Sequence, residues 1–204
     1  MAASSSPTSV LVIASGNAGK VREFSHLLAG LGLEIRPQPQ GLEVEETGSS
    51  FAENARLKAT AVARATGAWA LADDSGLAVE ALGGAPGVHS ARYAATDSAR
   101  IDRLLKELAT AQKADPVASR AAEFIAALAV ADPGGTIRLE VEGICPGTIL
   151  ATPRGSGGFG YDPVFFVEEA GLTFAEMANT EKARLGHRGR AFTLLEPQLR
   201  ALLG

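Results

Sequence analysis

Leu71–Tyr93 reads LADDSGLAVEALGGAPGVHSARY, and the remaining motifs of the chain are best understood from it outward. The apolar run Trp69-Ala70-Leu71 reads as a strand that ends in two adjacent carboxylates, Asp73 and Asp74. Ser75-Gly76 then reads as a turn, after which Leu77, Val79 and Leu82 resume the apolar pattern. Strand ends of α/β proteins carry chemistry because the scaffold fixes side chains that the following loop exposes. Neighbouring side chains on an extended segment point to opposite faces, so one carboxylate can face a cleft while the other caps a turn. Taken alone, Asp-Asp-Ser-Gly is more often a solvated turn. Its neighbours have to decide.

Composition narrows the classes. At 204 residues, 46% hydrophobic and 21% charged, the chain has the make-up of one soluble globular domain with a substantial core. A net charge of −4 and a pI near 5.5 argue against non-specific binding of polymeric nucleic acid. The single cysteine, Cys145, excludes an intrachain disulfide, and the scattered His26, His89 and His187 do not have the spacing of a zinc site. No apolar run is long enough to span a membrane. Met1–Ser9 is small and polar without a basic start or apolar core. It reads as a disordered tail on a cytoplasmic protein rather than a signal peptide.

Val10–Ala14 (VLVIA) has the continuous apolar pattern of a strand buried on both faces. It breaks at Ser15-Gly16-Asn17-Ala18-Gly19-Lys20, and Val21, Phe24, Leu27, Leu28 and Leu31 then follow helical spacing. Strand, glycine loop and helix together present backbone N–H groups and a positive dipole end to an anion. A Walker loop is excluded, because Val21 follows Lys20 and Ala14 stands where its first glycine belongs. On spacing alone, an anion loop and a structural βα turn remain equally open.

Glu34–Gly48 is irregular and acidic, closing with Glu43, Glu45 and Glu46. Ser50-Phe51-Ala52-Glu53 fits a capping box opening a helix that runs to about Thr66 and stops at Gly67. Asn54 and Lys58 are four apart on that helix and share a face, either toward one site or as a surface pair. Ile101, Leu104, Leu105 and Leu108 mark an amphipathic helix. Phe124–Ala131 and Thr136–Gly143 read as a hairpin about Asp132-Pro133-Gly134-Gly135, with Gly147–Leu150 a further short strand. Pro153–Pro163 is too glycine-rich for regular structure. Its glycines admit close backbone approach to a ligand, and Phe159 offers a face for a nucleobase. Val164–Val167 reads as a strand. Lys182 and His187–Arg190 precede a last helix with the stripe Phe192, Leu195, Leu199, which Pro197 should kink or shorten. No internal repeat and no interdomain linker are visible, so residues 10–204 read as one domain.

Five stretches, SGNAGKVREF, ETGSSFAENARLKA, LADDSGLAVEALGGAPGVHSARYA, GGFGYDPVFF and EKARLGHRGRA, resemble in order the motifs of the inosine/xanthosine triphosphate pyrophosphatases, the Ham1 family. The resemblance runs from about Val10 to the C-terminus. It implies an α/β fold with an elongated mixed sheet flanked by helices, two lobes with a central active-site cleft, and a homodimer. It implies Mg²⁺-dependent hydrolysis of deaminated purine nucleoside triphosphates (ITP, dITP, XTP) to monophosphate and pyrophosphate.

Carried over residue by residue, the resemblance makes Asp74 the proton acceptor and, with Glu46, a Mg²⁺ ligand. It makes Ser15, Gly16, Asn17, Ala18, Gly19 and Lys20 the phosphate loop, with Asn17 and Lys20 as side-chain donors, and adds Lys58 and Lys182 near the phosphates. Only five lysines stand against fourteen arginines, and three of the five lie in motifs. Ser75 becomes a substrate contact. Phe159, Gly160, Tyr161 and Asp162 hold the base, Phe159 by stacking and Asp162 by hydrogen bonding, with His187 and Arg188 on the other side. Two positions depart from the family pattern: Ser15 stands where threonine is frequent, and Gly186 where serine is usual. The second removes one hydroxyl on the base side. Two other readings remain beside this one. A Maf-type pyrophosphatase of other base preference is disfavoured by GGFGYDP and HRG, and a non-catalytic nucleotide-binding module by the joint presence of Asp74, Glu46 and Lys20.

Overall fold

The computed structural model describes residues 9–204. The expected tail therefore lies, but for Ser9, outside the described residues. Ser9 itself is tied down, its carbonyl accepting the Glu34 N–H at 3.0 Å. Seven strands hydrogen-bond in the order β2-β1-β3-β4-β5-β6-β7. They are β1 (Val10–Ala14), β2 (Glu34–Pro37), β3 (Trp69–Val79), β4 (Ala121–Ala131), β5 (Ile137–Ile149), β6 (Phe165–Val167) and β7 (Leu172–Thr173). Five helices accompany them: α1 (Ala18–Leu27), α2 (Phe51–Thr66), α3 (Asp97–Ala114), α4 (Asn179–Leu185) and α5 (His187–Leu203). The sheet is mixed, with β1 parallel to β2 and β3, and β6 antiparallel to β5 and β7. The chain divides into two compact units. One takes the residues up to Asp74 with Ala127–Val141 and Phe192–Gly204; the other takes Ser75–Ala126 and Glu142–Ala191.

In the first unit, Leu11, Val12, Ile13 and Ala14 are all buried, as their unbroken apolar run requires. The α2 helix packs through Ala55, Ala59, Val62 and Ala63 onto Val12, Ala14, Ala70 and Ala72. Ser50 Oγ accepts the Glu53 N–H at 3.2 Å, and Gly67, in the left-handed region, ends the helix. Glu53 reaches back to the Ser50 amide only as a minor contact. Its carboxylate takes the Ser49 N–H at 2.6 Å, one residue earlier. The β4–β5 turn is closed by the Asp132 N–H on the Thr136 carbonyl, the expected hairpin. In the second unit, Leu77, Val79, Ile101, Leu104 and Leu108 join Phe124, Phe165 and Phe174 in an aromatic core, with Phe124 and Phe165 edge to face at 4.7 Å.

Four local expectations change. Ser75-Gly76 is no turn, because β3 continues through it to Val79. Gly76 is there for close approach: a Cβ would lie 2.4 Å from Ser90 Oγ, whose hydroxyl accepts the Leu77 N–H at 2.9 Å. Glu34–Pro37, read as irregular, is edge strand β2, where the terminal Pro37 costs no ladder bond. Gly147–Leu150 is not separate, since β5 runs unbroken through Cys145-Pro146. Its pairing with β6 covers only Thr148 and Ile149, so Pro146 needs no donor on that side. Last, α5 begins at His187 and continues past Pro197 to Leu203, with Leu195 and Leu199 fully buried. Burial of that stripe outweighs the one backbone bond proline removes.

Candidate active site

The strand order places the chemistry of the first unit. β1 leads through α1 to β2 on one side, and the chain then returns to β3 on the other side of β1. The carboxyl end of β1 and the Asp73–Asp74 stretch of β3 beside it thus lie at a topological switch point, where open α/β sheets bind ligands. Ala14 pairs with Ala72, so the Ser15–Lys20 loop leaves β1 beside Asp73 and Asp74 on β3.

The alternation of a strand separates the two carboxylates, as expected, and each finds its own lysine. Asp73 Oδ2 pairs with Lys20 Nζ at 2.8 Å, and Asp74 Oδ1 with Lys58 Nζ at 2.9 Å. Lys58 Nζ also donates to Glu46 Oε1 and to the Asp73 carbonyl, both at 2.9 Å. Asp74 Oδ2 accepts from Asn54 Nδ2 at 3.1 Å, while Asn54 Oδ1 accepts the Gly48 N–H at 2.8 Å. Asn54 and Lys58 therefore look into one site, and the surface-pair alternative falls. The fully buried Asn54 ties the acidic loop carrying Glu46 to Asp74. A polar residue inside the alanine-rich face of α2 was the signal that could have marked it.

Burial pushes the Asp74 carboxyl above its ordinary value, and the Glu46 charge adds to the rise. Lys58 and Lys20 pull the other way without overcoming it. For Lys58, burial works against the charge, but Asp74 and Glu46 together hold the ammonium above its usual value. Among the described residues, no three His, Cys, Asp or Glu side chains gather as a metal cage. Glu46 and Asp74 offer two hard carboxylate oxygens on a shared cation. That set suits Mg²⁺, which takes one or two carboxylates and leaves its other positions to water and phosphate oxygens.

The glycine loop is built as a helix cap. Asn17 Oδ1 accepts from Gly19 N at 2.8 Å and Lys20 N at 3.2 Å, and Ser15 Oγ accepts from Asn17 N at 3.1 Å. The carbonyl end of Asn17 thus serves α1. Gly16, Asn17 and Ala18 are exposed.

In the second unit, Arg188, expected on the base side, and Lys182, expected near the phosphates, both lie over Phe159. Lys182 Nζ lies 5.0 Å and the Arg188 guanidinium 5.5 Å from its ring centroid. Arg188 donates to Ser75 Oγ at 2.7 Å. Asp162 Oδ2 accepts from Lys182 Nζ at 2.6 Å and from the Phe159 N–H at 2.8 Å, so its carboxylate shapes the loop. Gly158 permits this, since at φ +73° a Cβ would lie 1.9 Å from that oxygen. Gly160 donates to Asp97 Oδ2 at 2.8 Å, a loop anchor that the motifs did not reveal. Tyr161 is buried and donates to the Ser90 carbonyl at 2.9 Å. His187, also buried, stacks on Phe124 at 4.8 Å.

Known proteins resemble this chain along most of its length. A protein from Parasynechococcus marenigrum named dITP/XTP pyrophosphatase is 64% identical over 95% of this chain and 96% of its own. One from Nostoc with the same name is 54% identical over 96% and 97%. Among solved structures, a HAM1 protein from Coxiella burnetii superimposes with a TM-score of 0.86 at 40% identity, covering 95% of this chain and all of that one. The Ham1 family model matches residues 11–198. With relatives this similar along almost its full length, the chain belongs to the Ham1 family.

Proposed function

We propose that the protein hydrolyses deaminated purine nucleoside triphosphates to the monophosphate and pyrophosphate, as the names of its relatives describe for them. The observation that carries the reading is the convergence of Glu46 and Asp74 on one ammonium, beside a second lysine–aspartate pair. Three carboxylates and two lysines gathered beside β3 supply both a cation site and counter-charge for a triphosphate.

Asp74 accepts a proton from a water molecule that attacks the α-phosphorus. The P–O bond between α- and β-phosphate breaks, and its electron pair leaves with pyrophosphate. A carboxyl raised by burial is a better base than an ordinary aspartate, because general-base efficiency grows as its pKa approaches the working pH. Asn54, on the other carboxylate oxygen, fixes its orientation. Glu46 and Asp74 would hold Mg²⁺, which when bound would supply positive charge against the triphosphate oxygens. Lys20 and the Nδ2 end of Asn17 meet phosphate oxygens from the β1 loop. Phe159 stacks on the base and Arg188 donates to its 6-oxo group, with Asp162 and Lys182 holding Phe159 and Ser75 holding Arg188. The protein works in the cytoplasm as a homodimer.

Incubation with ITP and Mg²⁺, read by phosphorus NMR, should yield IMP and pyrophosphate. Water labelled with heavy oxygen should mark IMP alone. IDP with orthophosphate would sink the reading. Asp74→Asn, nearly isosteric, should lower kcat by at least about 10²–10⁴ with an unchanged fold by circular dichroism. Near-normal turnover would transfer the base role to Asp73.

A further inference from the structure

Lys58 sits in an unusual place for a phosphate ligand. An ammonium has three donors, and all three are committed at 2.9 Å: to Glu46 Oε1, to Asp74 Oδ1 and to the Asp73 carbonyl. Its side chain is only 13% exposed. Two of these acceptors are the carboxylates assigned above to Mg²⁺. The ammonium therefore stands where a cation bridging those carboxylates would stand.

Both cations cannot keep these oxygens. Mg²⁺ draws its ligand oxygens to about 2.0–2.1 Å and carries twice the charge of the ammonium. An ammonium left between the same oxygens would meet a divalent ion in a partly desolvated site, where like charges repel strongly. The lysine stem is long and flexible, so the group that leaves is Nζ. Displaced from Glu46 and Asp74, it becomes a buried charge in need of an anionic partner, and burying an unpaired charge is costly. The nucleotide brings one in its phosphate oxygens. When ion and products leave, Lys58 can return and spare Glu46 and the buried Asp74 from facing one another uncompensated.

We propose that the Lys58 ammonium is a resident substitute for the metal ion, passed from the Glu46–Asp74 pair to the nucleotide phosphates when the ion arrives. One side chain then couples metal loading to phosphate capture. The inference rests on the pyrophosphatase reading and deepens it, since it ties Lys58 to the metal as well as to the phosphates.

The coupling is read on the full chain, without turnover, by isothermal titration of Mg²⁺ and of an ITP analogue with a methylene bridge between α- and β-phosphorus. Without nucleotide, Lys58→Met should bind Mg²⁺ about tenfold or more tightly than the wild type, within the usual range of coupling between sites. Binding seen only in the variant is the limiting form of the same result. The gain in analogue affinity that Mg²⁺ gives the wild type should shrink in the variant. Equal or weaker Mg²⁺ affinity in Lys58→Met overturns the exchange and leaves Lys58 a scaffold for the carboxylates.

A second measurement needs no variant. In the wild type, amine-directed labelling with peptide mapping should show Lys58 reacting faster when Mg²⁺ is added and slower again with the analogue, while Lys106 on α3 stays constant. A Lys58 rate indifferent to Mg²⁺ overturns the inference. If ITP is cleaved to pyrophosphate and Lys58 is nevertheless indifferent, only the exchange fails. If ITP is not cleaved, the pyrophosphatase reading fails with it.

Discussion

Arg188 is nine-tenths buried or more, bonded to Ser75 Oγ and held over the Phe159 ring. A guanidinium only donates hydrogen bonds. On the proposed reading, hypoxanthine and xanthine would present a 6-oxo acceptor to it, whereas adenine would present an amino donor and a mismatch. An unpaired polar group in a desolvated pocket costs about 1–3 kcal/mol, and a site built to hydrogen-bond its substrate rejects mismatched analogues strongly. Arg188→Ala should therefore reduce kcat/KM for ITP by at least about tenfold and change that for ATP far less. Equal losses on both substrates would assign Arg188 to the phosphates. Guanine also carries a 6-oxo group, so Arg188 alone would not discriminate against GTP. The type and motif of Arg188 were legible in the chain, but its bond to Ser75 was not, because 113 residues separate them. The same holds for Asp162. Its motif reads as a base contact, while the fold commits one of its oxygens to Lys182 and to the Phe159 amide.

At the scale of elements, α2 carries two of the polar groups that meet Asp74, and its start is held by Ser50 and Glu53. Ser50→Ala removes an N-cap worth about 1 kcal/mol. Tm should fall by about 2–4 °C in a chain of this length, and scanning calorimetry would show it. The Glu53 carboxyl is held below its ordinary value, chiefly by the hydrogen bond from the Ser49 N–H. A depressed carboxyl stabilises the fold fully above the usual glutamate range and loses that contribution as pH falls through the lower folded value. An NMR titration of the Glu53 side chain should give a midpoint below that of a free glutamate; a midpoint at or above it would disprove the cap. The Ser-x-x-Glu spacing and Gly67 announced this helix correctly. The run of β3 through Asp-Asp-Ser-Gly could not be announced, because turn-forming residues persist in a strand when neighbouring strands and a packed Ser90 supply the bonds.

For the whole molecule, a homodimer would give a mass near twice 21.0 kDa in light scattering at micromolar concentration. A mass near 21.0 kDa would refute it. Large apolar side chains on the surface are few: Leu57, Val117, Ile144 and Leu194 are exposed. No helix among the described residues is long and apolar enough to cross a membrane.

What the sequence determined by itself is local. The buried run of β1, the apolar stripe of α3, the ends of α2 and the ordered motifs each depend on residues a few positions apart, where periodicity and capping act directly. Tertiary structure alone decided which groups share an oxygen. Glu46, Lys58 and Asp74 meet because the parallel β1–β3 pairing and the close alanine contact with α2 bring the first turns of that helix to the middle of β3. The sequence spells out a lysine and two acids at a distance from one another. Only the packing of a helix on a sheet makes one ammonium bridge both acids.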